Sequence, residues 1–272
     1  MEVVPQSSVI GAEVRGLDLS RRLDDAELRQ LNQAFLDHQV LFFREQRLSP
    51  RQYTDFAARF GPLQDYMFVE GMDGFPYITE IVKTETETEG FGDFWHSDSA
   101  YLEHPPKITM LYAREVPPRG GDTLFADMYS LYDDLSQGLK RALQSLRAVN
   151  SASPVARGED IYQAVKSRNS GRREQQAIHP VIRRHDETGR SAVYVNGIHT
   201  LEFEGMTHAE SLPLLDFLFR RVMRPEYSFR LRWQADTLAM WDNRCTQHYA
   251  LNDYHGYRRV MHRIIVEGDT PR

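Results

Sequence analysis

The chain has 272 residues, and its 33 basic and 39 acidic side chains leave a formal net charge of −6. This modest negative charge argues against a nucleic-acid partner, because binding to a phosphate backbone requires a basic surface. With 41% hydrophobic and 11% aromatic residues, the composition predicts a globular chain with a substantial core, which we expect to form one domain over residues 1–272.

The single cysteine, Cys245, excludes an internal disulfide and any thiol-rich metal site. The amino terminus lacks the features of a signal peptide, and no apolar run approaches the roughly 18 residues of a membrane span. We therefore expect a cytoplasmic protein that contacts neither membranes nor nucleic acids and whose partner is a small molecule. Assembly into a homo-oligomer is compatible with the sequence.

The first 61 residues predict alternating strands and helices. A helix is expected over 23–38, where apolar residues recur at helical spacing after an acidic pair that resembles a capping box. The short apolar run over 40–46 suits a buried strand. Ser49 and Pro50 have the residue types of an N-cap and a first helical position, so a second helix should end before Gly61.

After this region the pattern changes to short segments of β character between turns. These segments are 77–82, 107–115, 191–197, 227–233, 237–242 and 259–268. Several alternate apolar and polar residues, as a sheet with one buried face requires. Helical insertions are expected over 128–146 and 207–223, and the polar segment 157–176 predicts a mobile loop or lid.

The segment 91–101 contains the first pair of candidate metal ligands, His96 and Asp98. In an extended strand, residues two positions apart point to the same face, so this imidazole and this carboxylate would lie side by side. A facial-triad iron(II) site needs two imidazoles and one carboxylate, with further positions left open. Because His-x-Asp also arises by chance, a third ligand is required, and His248 is the candidate.

Three arginines follow His248. Arg259 and Arg263 would share one face if 259–266 is a strand, while Arg258 would face the other way. Two inward guanidinium groups near a metal could bind carboxylates or other anions. The alternative is a solvated basic strand.

Four motifs occur in order along the chain. They are WHSD at 95–98, PPRGGDT at 117–123, WDNR-x-x-x-H at 241–248 and RRVMHR at 258–263. Together they closely resemble the iron(II)/2-oxoglutarate-dependent dioxygenases of the taurine dioxygenase family, which includes the aryloxyalkanoate dioxygenases. The likeness covers nearly the whole chain, beginning with IGAEVRGLDL at 10–19.

The resemblance implies a mainly β fold with flanking helices, built on a double-stranded β-helix, or cupin-like jelly roll, with helical insertions. It also implies an enzyme that uses Fe(II) and takes 2-oxoglutarate and dioxygen as co-substrates, releasing succinate and carbon dioxide. Hydroxylation is favoured over halogenation, because Asp98 occupies the carboxylate position that halogenating relatives leave free for halide.

The resemblance further implies roles for individual residues. His96, Asp98 and His248 match the metal triad, and Thr123 and Arg259 match the residues that hold the distal carboxylate of 2-oxoglutarate. In the third motif, WDNR-x-x-x-H, Asp242 is expected to orient the backbone or Arg244 rather than bind metal, and Cys245 is expected to be a packing residue.

Arg263 matches an arginine that binds the anionic group of the substrate, so we expect a small anionic organic substrate. The alternatives are that this arginine shares the 2-oxoglutarate carboxylate or pairs with a protein acid. Tyr66 and Phe68 lie where the taurine enzyme has a histidine for the sulfonate, which suggests a larger or more apolar acid, although both aromatics could equally be core residues. Ser99 is also assigned to the substrate pocket.

Two other functions remain open at this level. A non-catalytic jelly-roll sensor could use the same metal ligands, although it would not need a clamp for a co-substrate. A zinc hydrolase could use them with a metal-bound water, although the sequence places no separate carboxylate as a general base.

Overall fold

The computed structural model describes residues 1–152 and 175–272, and this part of the chain contains sixteen strands and five α-helices. The strands are β1 (Glu2–Pro5), β2 (Ala12–Arg15), β3 (Val40–Phe43), β4 (Leu63–Gln64), β5 (Thr79–Lys83), β6 (Ile108–Glu115), β7 (Thr123–Asp127), β8 (Arg147–Ser151), β9 (Gln176–Pro180), β10 (Ile182–Arg184), β11 (Ser191–Val193), β12 (Thr200–Phe203), β13 (Ser228–Leu231), β14 (Leu238–Asp242), β15 (Thr246–Ala250) and β16 (Arg259–Val266). The helices are α1 (Asp25–His38), α2 (Pro50–Ala57), α3 (Met128–Asp133), α4 (Gln137–Gln144) and α5 (His208–Val222).

The predicted helix starts in the amino-terminal region are confirmed. The Asp24 side chain accepts hydrogen bonds from the backbone at the start of α1, and the Glu27 side chain accepts one from the backbone of Asp24. Ser49 and Gln52 make the same reciprocal arrangement at the start of α2. These capping boxes satisfy backbone N–H groups that have no partner inside the helix, so each helix starts at a fixed residue.

One predicted boundary is wrong. The strand expected over 40–46 ends at Phe43, and the chain then turns through Glu45, which has a positive φ of 56°. The helical insertion expected over 128–146 is confirmed and consists of two helices, α3 and α4, because Ser136 caps a new helix with its hydroxyl. The expected lid over 157–176 lies outside the described residues up to 174, and Gln176 begins β9.

An eight-stranded sheet forms the larger half of the core. Its strands run in the order β1-β2-β3-β14-β6-β16-β4, and β5 pairs with β16 off this path. A three-stranded sheet, β13-β7-β15, contributes the opposite wall, and further small sheets join β12-β8-β9 and β10-β11. Phe125 and Leu231 of the three-stranded sheet share one apolar cluster with Phe42, Leu111 and Met261 of the large sheet. The two sheets therefore pack face to face, as in the expected jelly roll.

Alternation along the strands separates the two faces of the large sheet. Leu41 and Phe43 of β3 pack against α1 and α2 outside the sheet, whereas Val40 and Phe42 point between the two sheets. This explains why the run VLFF is apolar throughout, since both of its faces are buried. On β16, Met261 faces between the sheets and Ile264 faces the helices, so the odd-numbered residues 259, 261 and 263 share the interior face.

Within the described residues, none of the helices is long and apolar enough to cross a membrane.

We expect Gly11→Ala to lower the free energy of unfolding more than Gly16→Ala does. Both glycines have positive φ, 86° and 75°, which costs an L-residue about 1–2 kcal/mol. At Gly11 an added Cβ would also lie 2.5 Å from Cδ1 of Phe229, whereas nothing lies within 4 Å at Gly16. Overpacking adds about 1–3 kcal/mol. Equal losses in urea denaturation of the two variants would contradict this close approach.

Candidate active site

His96 and His248 are joined by a single antiparallel β-bridge although 151 residues separate them in the chain. The backbone N–H of His96 donates to the carbonyl of His248 at 3.1 Å, and the N–H of His248 donates to the carbonyl of His96 at 2.8 Å. The two imidazole rings lie with their centroids 4.1 Å apart. This pair of hydrogen bonds attaches the loop before β6 to β15 and brings both imidazoles to one point.

Asp98 completes the cluster, but not on the continuous strand that the sequence suggested. His96 lies in an isolated bridge, and a turn begins at Asp98, with Ser99 at a φ of 49°. Nε2 of His96 lies 3.9 Å from Oδ1 of Asp98, and each of the two histidines and Asp98 offers a ligand atom within 4.8 Å of the others. Two imidazoles and one carboxylate are the donors of a facial triad, so the set fits a divalent iron.

Hydrogen bonds behind the cluster orient its donor atoms. Nδ1 of His96 donates to the carbonyl of Phe94 at 2.8 Å, which leaves Nε2 with its lone pair towards Asp98. The Thr109 hydroxyl donates to Oδ2 of Asp98 at 2.5 Å and accepts from the Asn243 amide at 2.8 Å. Partners of this kind fix the rotamer and protonation state of metal ligands.

The electrostatics of the cluster favour the protonation states that a metal requires. Burial lowers the pKa of His96 and lowers that of His248 still further, so both imidazoles are neutral. Burial alone would raise the pKa of Asp98, but the charge of Arg263, the two nearby imidazoles and the hydrogen bond from Thr109 together outweigh it, and the pKa lies below its usual range. The cluster therefore presents neutral nitrogens and an ionised carboxylate.

Arg259 and Thr123 line the cavity that the three candidate ligands border. Arg259 is only 8% exposed, yet its Nε and Nη2 atoms have no hydrogen-bond acceptor among residues 1–152 and 175–272. Burial lowers the pKa of Arg259, which expresses the cost of holding this cation away from water. The Thr123 hydroxyl accepts from Nε1 of Trp233 at 2.9 Å, so it is held at a fixed place in the cavity wall. An anionic group of a small molecule would satisfy the guanidinium.

Arg263 lies four residues, or two strand repeats, further along the same face of β16. Its Nη2 lies 2.7 Å from Oδ1 of Asp98, and its guanidinium carbon lies 4.6 Å from the centre of the Tyr66 ring. Of the alternatives left open for this arginine, the structure shows the pairing with a protein acid. Its position at the border of the cavity also leaves it next to any molecule that approaches the metal ligands.

Comparison with known proteins identifies the family. The family model for "Taurine catabolism dioxygenase TauD, TfdA family" matches residues 2–265. This chain belongs to that family. It is a 2-oxoglutarate-dependent dioxygenase, and iron(II), 2-oxoglutarate and dioxygen are confirmed as its cofactor and co-substrates at the level of the family. The comparisons support neither the sensor nor the hydrolase.

The most informative relatives are aligned over almost their whole length. A sulfate ester dioxygenase of Pseudomonas putida is 32% identical over 100% of this chain and 91% of its own. A 2,4-dichlorophenoxyacetate dioxygenase of Cupriavidus pinatubonensis is 31% identical over 98% and 97%. The crystal structure of a putative taurine dioxygenase from Burkholderia xenovorans superposes with a TM-score of 0.86 at 33% identity, covering 99% and 93% of the two chains. The expected jelly-roll fold is confirmed.

A second cavity of this dioxygenase opens next to His96 and Asp98 on the side away from Arg259. Tyr66 and Ser99, which the sequence analysis assigns to the substrate pocket, line it. Phe68 is not among its lining residues, and its ring packs against those of Tyr66 and Tyr101 at centroid distances of 5.7 and 5.8 Å. Phe68 lies in a small apolar cluster, which corresponds to the alternative that it is a core residue.

Sequence reasoning missed several residues of this wall. Its further members are Phe91, Gly92, Phe94, Tyr101, Ile198 and His199. Burial lowers the pKa of His199 to about 3, so this imidazole is neutral. Phe94 and Tyr101 flank the WHSD motif and could have been found from that proximity. Ile198 and His199 carry no such signal, because the fold alone brings the turn between β11 and β12 to the metal ligands.

The WDNR motif also builds a charged network beside the site. Oδ1 of Asp242 accepts from the backbone N–H of Arg244 and from its Nε, and Oδ2 accepts from Nη2 of Arg244 and from His185. The expectation that Asp242 orients Arg244 is confirmed. Cys245 is buried in the neighbouring apolar cluster, which confirms its packing role. His185 was not anticipated, because 56 residues separate it from Asp242 in the chain.

We expect Thr109→Val to weaken binding of a divalent metal by about 10–100-fold, the usual effect of losing a hydrogen bond that orients a ligand. The variant keeps the shape of the side chain but removes the donor to Oδ2 of Asp98. Binding of Mn(II) or Co(II) to the purified protein measures this effect without catalysis. Thr200→Val is the matched control, since it removes another buried hydroxyl, which donates to Asn150. Equal losses in both variants would contradict an orienting role.

We expect Asp242→Asn to destabilise the protein by about 3 kcal/mol at pH 7, the lower end of the cost of breaking a buried ion pair, because Arg244 keeps only the half-exposed carboxylate of Glu187 as a partner. The charge of Arg244 and a hydrogen bond from His185 outweigh burial and lower the pKa of Asp242. A carboxylate with a lowered folded-state pKa stabilises the fold above its unfolded pKa of about 4, and this contribution is lost as pH falls below that value.

The difference between wild type and Asp242→Asn should therefore be constant from pH 7 to about 5 and shrink below about 4, as followed by urea denaturation. The control is Asp216→Asn, which removes an exposed partner of Arg220 and should have a far smaller effect. A difference that grows on acidification would overturn the assignment.

Proposed function

We propose that this dioxygenase hydroxylates a small anionic organic compound, with iron(II) held by His96, Asp98 and His248 and 2-oxoglutarate held by Arg259 and Thr123. When bound, iron(II) and 2-oxoglutarate together activate dioxygen, with 2-oxoglutarate converted to succinate and carbon dioxide and a C–H bond of the substrate hydroxylated. The protein supplies neutral imidazoles, an ionised carboxylate and a buried guanidinium for the distal carboxylate of the co-substrate.

The balance of buried charge is the observation that carries the choice of an anionic substrate. In the described part of the chain, Arg263 has one carboxylate partner, Asp98, and Arg259 has none. Iron(II) and the 2-oxoglutarate dianion offset one another, so two buried arginines face the single charge of Asp98. Among the side chains that line the cavity at the metal ligands, one positive charge therefore remains, and a buried cation without a counter-charge is costly. A monoanionic substrate beside Arg263 would balance it.

The cavity walls support an apolar body for that anion. Tyr66, Phe91, Phe94 and Tyr101 supply four aromatic rings beside the metal ligands. Aromatic walls bind apolar groups, and polar groups among them fix orientation. The named substrates of the two relatives, a sulfate ester and 2,4-dichlorophenoxyacetate, combine an anion with an organic group. We therefore place the substrate among alkyl or aryl sulfate esters, sulfonates and carboxylates.

The proposal also includes the remaining expectations from the sequence. The whole chain, residues 1–272, acts as one catalytic domain in the cytoplasm, and segment 157–176 acts as its lid. Nucleic acids and membranes are not partners, and assembly into a homo-oligomer is compatible with the proposal.

We expect Arg259→Leu and Arg263→Leu to weaken the binding of different ligands. Arg259→Leu should raise the apparent requirement for 2-oxoglutarate by tens-fold or more, because truncating one partner of a buried charge pair costs on the order of 2–5 kcal/mol. Arg263→Leu should leave the absorbance band of the anaerobic iron(II)–2-oxoglutarate complex nearly intact and should weaken the binding of the primary substrate. If Arg263→Leu instead abolishes the band and leaves substrate affinity unchanged, the assignment of this arginine to the substrate is wrong.

The substrate class can be tested on the wild-type protein by succinate release after reconstitution with iron(II). The screen compares alkyl sulfates, sulfonates and carboxylates with neutral alcohols of the same chain length, and aryloxyacetates with the corresponding phenyl ethers. We expect succinate release that depends on the anionic member of each pair. Release that is equally strong with the neutral members would refute the proposed anion.

A further inference from the structure

Lys83, at the end of β5, is a buried cation that the mechanism above does not use. It is 6% exposed, and its Nζ has no hydrogen-bond acceptor. Within the described ranges no carboxylate forms an ion pair with it. Its one identified contact is with the Tyr254 ring, whose centroid lies 4.5 Å from Nζ. A cation–π contact replaces only part of the hydration that an ammonium group loses on burial, so Lys83 lacks a counter-charge.

The sheet places Lys83 directly opposite Arg259. β5 pairs antiparallel with β16, and in this register Lys83 and Arg259 are direct partners, as are Ile81 and Met261. Side chains of directly opposite residues in an antiparallel pair lie on the same face with Cβ atoms about 4.5–5.5 Å apart. Both cations also contact the same ring, since the guanidinium carbon of Arg259 lies 5.8 Å from the centroid of Tyr254. Two buried cations therefore lie side by side.

Both side chains border one cavity of about 270 Å³. This cavity adjoins the one that reaches the candidate metal ligands, because Ile81, Phe91, Ala250 and Arg259 line both. The unpaired donor atoms of the two side chains are Nζ of Lys83 and Nε and Nη2 of Arg259. A carboxylate has two oxygens, each of which accepts more than one hydrogen bond, so one such group can serve both cations.

We propose that Lys83 is a second cation for the distal carboxylate of 2-oxoglutarate, acting beside Arg259. The inference rests on the proposed function, since it assumes that Arg259 binds this carboxylate. It assigns to the co-substrate site a residue that lies outside the four sequence motifs. The site then selects a 2-oxo acid with a second, distal carboxylate, because a neutral end would leave two buried cations without a partner.

The test is an anaerobic titration of the iron(II) protein with 2-oxoglutarate. Binding is measured from the absorbance band that forms when the keto acid chelates the metal. We expect Lys83→Met, which keeps an unbranched side chain against Tyr254, to weaken the binding of 2-oxoglutarate about tenfold or more. This is the usual effect of losing one charged hydrogen bond. Lys83→Arg should restore most of the affinity. A Lys83→Met variant that binds 2-oxoglutarate as tightly as wild type would overturn the inference.

A second ligand separates recognition of charge from support of the fold. 2-Oxovalerate chelates the metal through the same keto acid but carries a methyl group in place of the distal carboxylate. Its affinity should be equal in wild type and Lys83→Met. If Lys83→Met weakens the binding of both ligands equally, Lys83 supports the shape of the cavity and does not bind the distal carboxylate, and the inference is wrong. If Lys83→Met does not fold, Lys83→Gln provides the same comparison with a neutral polar side chain.

The matched control is Lys140→Met. Lys140 also lies over a tyrosine ring, with Nζ 4.9 Å from the centroid of Tyr132, but it belongs to α4 and does not line either cavity. Lys140→Met should leave 2-oxoglutarate affinity unchanged. An equal decrease of affinity in Lys83→Met and Lys140→Met would overturn the inference. If wild-type protein itself gives no band with 2-oxoglutarate, the proposed function fails and this inference with it, which differs from a failure confined to Lys83→Met.

Discussion

Two backbone hydrogen bonds between His96 and His248 join a loop to a strand that follows much later in the chain. Together with the hydrogen bond from the Ala250 N–H to the Gly92 carbonyl, this bridge fixes the position of the loop that carries His96 and Asp98 relative to β15. The bridge uses main-chain atoms, so it leaves both imidazoles available as ligands. The orientation of each donor atom is then set by side-chain partners such as Thr109, which would be ineffective if the two segments were not already attached.

The positions of the cationic side chains in the site follow from the alternation of side chains along β16. Arg259, Met261 and Arg263 face the space between the sheets, and the apolar methionine separates the two guanidinium groups. The strand opposite extends the same face, and places Lys83 across from Arg259. Burial makes each of these cations costly without a partner, and that cost is the physical basis of the proposed binding of anions between the sheets.

The WDNR motif shows how one short segment supports several parts of the molecule. Asn243 bonds Thr109 and the backbone of Asp98, behind the metal ligands. Its neighbour Asp242 points the other way and joins Arg244 to His185. The side chains of adjacent residues at the end of a strand point to opposite faces, so this motif links the interior of the jelly roll to the layer outside it. Its residues are therefore structural although they lie next to the site.

The sequence by itself determined the elements that depend on local chemistry. The capping boxes at Asp24 and Ser49 were readable because cap and N3 residue lie three positions apart, and the shared face of Arg259 and Arg263 follows from the two-residue repeat of a strand. The order of the motifs also indicated the family and its cofactors. Local errors arose where a turn interrupts a pattern, as at Asp98 and after Phe43.

Only the tertiary structure decided which distant residues meet. His199 lines the cavity beside His96 and Asp98, His185 bonds Asp242, and Lys83 lies opposite Arg259, although none of these residues is near its partner in the chain. Their neighbours are set by strand pairing and by the packing of one sheet on the other, and a sequence pattern specifies which face of a strand is buried without specifying what it is buried against. The same limit explains why Phe68, next to the predicted pocket in sequence, lies behind Tyr101 and not in the cavity.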